Sequence, residues 1–136
     1  MIVLDEQLLG RGLEQEIARW YRGKVEHITT LRPGSVIKDD AIPSLLRGLK
    51  RPTFVTINAV DFWRKVAAQR SFCLVCFAVP DSRATTISGS LRALLRLPGF
   101  RTKDERMGKV VRVAEREIRF YTCLDSALQR VGSWRL

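Results

Sequence analysis

Ile2, Val3 and Leu4 form an unbroken apolar run that stops at Asp5 and Glu6, and it predicts a short buried strand. Leu8, Leu9, Leu13, Ile17, Trp20 and Tyr21 then recur at helical spacing. They predict an amphipathic helix from Leu8 to Tyr21, whose first turns Gly10 and Gly12 weaken. Val25 to Leu31 reads as a second strand, and Arg32-Pro33-Gly34-Ser35 as a turn. Lys38-Asp39-Asp40 opens a helix that runs to about Leu49, with an Asp as a fitting cap and Pro43 tolerated near the start. Thr53 to Ile57 is a third strand, and Asn58 to about Ala68 a short helix or loop. Phe72 to Val79 is a fourth strand, apolar almost throughout. Ile87 to Leu97 is helical and ends at Pro98-Gly99. Lys109–Val113 and Glu117–Tyr121 are two late strands with a turn between them, and a last short helix is expected from Asp125.

A strand as uniformly apolar as the fourth has both faces covered, as in a parallel sheet. The alternation of strands and helices therefore predicts an α/β fold in three layers, a mostly parallel central sheet flanked by helices, with a late strand pair. The 136 residues suit one domain spanning 1–136, with no repeat or linker. No apolar run reaches the roughly 18 residues of a membrane span, so no membrane association is expected. The apolar start ends at Asp5 without a charged n-region, and the cysteine count is odd (Cys73, Cys76, Cys123). Both features predict a cytoplasmic protein with reduced thiols. Cys73 and Cys76 are three apart within a strand and should face opposite ways, which disfavours a redox pair or a zinc site. His27 is the single histidine, which disfavours a Ser-His-Asp triad.

The acids fall in a pattern. Asp5 and Glu6 close the first strand, Asp39 and Asp40 lie after the second, Asp61 after the third and Asp81 after the fourth. Open parallel sheets bind ligands beyond the carboxyl ends of their strands. Carboxylates gathered there would repel one another unless a divalent cation joined them, and Mg²⁺ or Mn²⁺ favours such oxygen ligands. Taken singly, Asp39 reads as a helix cap and Asp81 as a turn residue. Asp5 is harder to dismiss, because an acid abutting a core strand is costly unless paired or ligated.

Over about the first 80 residues the ordered segments IVLDEQL, KDDAI and FVTINAVDFW resemble the PIN-like nucleases, more narrowly the short bacterial, toxin-like PIN-like proteins. The resemblance implies a metal-dependent ribonuclease that cleaves single-stranded RNA. Asp5, Asp39 and Asp61 would be the catalytic acids and, with Asp40, would hold Mg²⁺ or Mn²⁺. Glu6, Thr56 and Asn58 would support the site, and Asp81 joins them by its place after the fourth strand. It also implies an antitoxin as partner, with a homodimer as a further expectation. Two departures stand out: Asn58 occupies a region where many relatives carry an Asp, and Thr56 to Asp61 is one residue longer than the common spacing.

Charge adds a partner class. The net charge is +10, of which residues 1–68 hold +3 (11 Lys+Arg, 8 Asp+Glu) and residues 69–136 hold +7 (13 and 6). A basic excess favours polyanions. Arg64, Lys65, Arg92, Arg96, Arg101 and Lys103 are the candidate nucleic-acid contacts. Two other functions fit the same features: a nucleic-acid-binding module whose site has decayed at Asn58, and an interaction protein whose basic face receives an acidic antitoxin.

Overall fold

Residues 1–31, 39–132 and 134 are described by a computed structural model. They form a mixed α/β structure with seven strands and six α-helices. The strands are β1 (Ile2–Leu4), β2 (Val25–His27), β3 (Thr53–Thr56), β4 (Cys73–Phe77), β5 (Lys109–Val113), β6 (Ile118–Thr122) and β7 (Gln129–Arg130). They lie side by side in the order β2-β1-β3-β4-β5-β6-β7. The first five are parallel, and β6 and β7 are added antiparallel. β1 sits between β2 and β3, so the chain leaves β1 to one side and returns on the other. Sheets of this order bind ligands at the carboxyl ends of the two strands where the direction reverses, here β1 and β3.

The helices are α1 (Leu13–Ala18), α2 (Ile28–Leu31), α3 (Ile42–Arg47), α4 (Ala59–Phe62), α5 (Ile87–Leu94) and α6 (Lys103–Arg106). They divide between the two faces as strand alternation requires. Ile2, Leu4, Val55, Val75 and Val111 pack against Leu13 and Ile17 of α1 and Ile87, Leu91 and Leu94 of α5. Val3, Phe54, Leu74 and Val110 pack against Ile28, Ile42, Leu46 and Phe62 from α2, α3 and α4. Cys73 and Cys76 belong to opposite layers, as their spacing predicts, and burial pushes the Cys73 thiol up to about 12.

Several boundaries differ from the sequence expectation. The helix expected from Leu8 to Tyr21 is a 3-10 turn (Glu6–Leu8) followed by the short α1, because Gly10 and Gly12 take left-handed φ values of 73° and 70°. β2 ends at His27, and Ile28 turns into α2 rather than extending the strand. The expected helix from Lys38 to Leu49 is a 3-10 turn (Asp39–Ala41) leading into α3, with Pro43 in its first turn; Lys38 and the turn expected at 32–35 lie outside the described residues. Among the described residues no helix follows Asp125: Thr122 accepts from the backbone N–H of Leu124 and Asp125 in a turn, and β7 pairs with β6. Helix α6 was not expected; Thr102 and Glu105 cap it reciprocally. No helix among the described residues is long and apolar enough to cross a membrane.

Candidate functional site

Asp5 leaves β1 one residue past Leu4, at the carboxyl ends of β1 and β3. Its backbone N–H still donates to Val55 at 2.9 Å, so the end of the sheet fixes its position. Only 2% of its surface is exposed. The carboxylate accepts from the Glu6 backbone N–H at 2.8 Å on Oδ1 and from the Thr56 hydroxyl at 2.7 Å on Oδ2. Asp5 thus caps the following 3-10 turn. Two bonds do not replace the water that burial removes. Burial raises its pKa above the ordinary carboxylate value, the bonds from Thr56 and Glu6 oppose the shift, and the Glu6 charge adds to it. Among the described residues no cation forms an ion pair with Asp5.

Thr56 closes β3 and joins two parts of the site. Its hydroxyl donates to Asp5 and accepts from the Asn58 backbone N–H at 2.9 Å. Asn58 caps α4: its Oδ1 accepts from the Asp61 N–H at 3.2 Å, and its Nδ2 donates to Asp61 Oδ2 at 2.6 Å. Asp61 in turn shares a surface pocket of about 350 Å³ with Asp40 and Lys65. The carboxyl edge therefore carries Asp5, Thr56, Asn58, Asp61 and Asp40 on or near the face covered by α3 and α4. The side chain of Asp39 lies outside the described ones. Among the described residues no three of His, Cys, Asp or Glu stand close enough to hold a metal ion. The donors present are all oxygens, the set that a hard cation such as Mg²⁺ or Mn²⁺ takes.

The remaining expected residues are more dispersed. Glu6 is exposed at the start of the 3-10 turn. Asp81 follows β4 but forms an ion pair with Arg11, a partner 70 positions away that the sequence pattern did not reveal. Arg64 adopts a left-handed φ of 63°, donates to the Ser126 carbonyl at 2.8 Å and lies 4.9 Å over the Tyr121 ring. Trp63 packs on the same Tyr121 ring. Arg92, Arg96, Arg101 and Lys103 are at the opposite edge of the sheet, beyond the amino ends of the strands. They are accompanied there by Arg106, which sequence reasoning passed over. Scanned against protein-family models, curated proteins and solved structures, the chain finds no match.

Proposed function

We propose that this chain is a PIN-like, metal-dependent nuclease acting on single-stranded RNA, with Asp5 as the central acid of its site. One observation carries the reading: a buried carboxylate with two hydrogen bonds and no ion-pair partner among the described residues stands at the carboxyl ends of β1 and β3. A negative charge held there is stabilised best by a cation brought from outside. A bound Mg²⁺ or Mn²⁺ would supply Lewis-acid chemistry, activating water and offsetting charge on a phosphate.

The chain's own residues would prepare that chemistry. Thr56 and the Glu6 N–H fix the Asp5 carboxylate in one orientation. Asn58 holds one Asp61 oxygen in place. Asp39 and Asp40 begin the turn into α3, and Asp40 shares the Asp61 pocket. Lys65, in the same pocket, would meet the phosphate of an approaching strand. A toxin role, with an acidic antitoxin as partner, belongs to the same reading. A non-catalytic RNA- or antitoxin-binding protein is the second reading, and Asn58 favours it: both ends of its amide are spent on α4 and Asp61, and it adds no charge.

The test is calorimetric titration with Mn²⁺ alongside cleavage of a labelled single-stranded RNA, with and without EDTA. Wild type should bind Mn²⁺, gaining about 2.7 kcal/mol of stability at a hundredfold excess over Kd. It should also cleave RNA only when metal is present. Asp5→Asn should lose most of both. Metal uptake by Asp5→Asn equal to wild type would remove Asp5 from the site. Uptake by wild type without cleavage would select the non-catalytic reading.

A further inference from the structure

Four arginines, Arg92, Arg96, Arg101 and Arg106, line a pocket of about 280 Å³ together with Trp20, Tyr21 and Leu95. The surrounding elements place it at the amino edge of the sheet. Trp20 and Tyr21 follow α1 just before β2 begins, and Arg101 and Arg106 come just before β5. Arg106 Nε donates to Oγ1 of Thr53, the first residue of β3, at 3.3 Å. Asp5 is bonded to the last residue of the same strand. The two places are separated by the length of β3, roughly 10 Å.

Arg106 is the telling residue. It is 4% exposed and has no ion pair among the described residues. Its Nη1 donates to the carbonyls of Phe100 at 2.9 Å and Arg101 at 3.1 Å. Nη2 makes no hydrogen bond among the described residues. A buried cation satisfied only by neutral oxygens is stabilised by an anion from outside. The local acids are committed elsewhere: Asp104 pairs with Arg51, and Glu105 holds the Thr102 and Gly99 N–H groups. Among the described residues no acid lines the pocket. Tyr21, whose hydroxyl accepts from the Met1 nitrogen at 3.2 Å, connects it to a second depression lined by Lys24, Lys50 and Lys103.

We propose that this edge is a second anion site, separate from the acidic carboxyl edge, that holds the phosphodiester backbone of single-stranded RNA. Arginine suits phosphate because its planar fork donates two parallel hydrogen bonds. Two adjoining cationic depressions match a repeating charge better than a single phosphate. Trp20 and Tyr21, both part-exposed, line the first of them, and aromatic side chains can stack a base. The site needs no metal and stands whether or not Asp5 ligates one.

The test is fluorescence anisotropy of a labelled oligouridylate with the full chain in EDTA, which separates this site from any metal-dependent one. Arg92 and Arg96 are both exposed, so their replacement should leave folding intact. Arg92→Gln with Arg96→Gln should weaken binding about 10-fold and reduce the salt slope by about 1.4, the loss of two single-strand phosphate contacts. Removing the same charge at Arg83 and Arg116, exposed residues that follow the carboxyl ends of β4 and β5, should change affinity by less than about twofold. Three results would each overturn the proposal: unchanged binding by the first pair, an equal loss from the second, or displacement of RNA by polyglutamate at matched charge. The last would show a face made for an acidic protein.

Discussion

Two buried charges stand at opposite ends of β3. Asp5 receives a hydrogen bond from Thr56, the last residue of the strand, and Arg106 donates one to Thr53, the first. Neither has an ion-pair partner among the described residues. Their chemistry nevertheless differs. A carboxyl group can escape the penalty of burial by keeping a proton, and the raised pKa of Asp5 is that tendency. A guanidinium keeps its charge at any working pH. Asp5 can thus give up its charge by taking a proton, whereas Arg106 must be satisfied by oxygen at all times. The carboxyl edge is built to respond to its surroundings, and the amino edge to hold a fixed positive field.

The strongest way to break this comparison is at the fixed end. Arg106→Met should destabilise the chain by about 3 kcal/mol, because the Thr53 hydroxyl and the carbonyls of Phe100 and Arg101 lose their donor inside the protein. Urea unfolding reads this directly. A loss below about 1 kcal/mol would mean that the buried charge costs nearly as much as its bonds return. At the responsive end, Thr56→Val should cost about 2 kcal/mol, since it removes the donor to Asp5 and the acceptor for the Asn58 N–H. It should also shift the Asp5 titration further upward, visible in the carboxyl carbon resonance. An unshifted titration would show that Thr56 does not hold the ionised form.

Asp5→Asn should have the smallest effect, and its sign is the informative part. Because the folded pKa of Asp5 is raised, the folded state holds the proton more tightly than the unfolded chain. The associated stability is fully present below the unfolded pKa and is lost as pH rises through the folded pKa. In EDTA the Asn variant should therefore gain on wild type as pH rises from about 4, and should be at least as stable by pH 7. Urea midpoints across that range measure the trend. Clear destabilisation by Asn at neutral pH would assign Asp5 to capping alone.

Where burial is continuous along the chain, the sequence shows it. β1 and β4 are apolar on both faces because each lies inside the sheet, and their order with the helices implies a mostly parallel α/β structure. Short apolar runs are less informative. Ile28 is buried whether the chain continues as a strand or turns into α2, so composition could not place the end of β2. β7 is two exposed residues whose strand character comes wholly from pairing with β6. The same limit governs the site. That acids follow the strands is a local pattern, visible in the sequence. That Asp81 is joined to Arg11, and that Arg106 is buried although it follows a helix-capping Thr-x-x-Glu, are tertiary facts without a local signature.

The position of β1 also bears on how the chain reaches its native state. Ile2 pairs with Val25 on one side and Thr53 on the other, so this wholly apolar strand precedes both of its neighbours in sequence. Its second row of hydrogen bonds can close only after β3 has been made, and bringing such distant segments together is entropically slow. Until then three core residues lack their lasting cover, and the folding chain carries an apolar strand with an open edge.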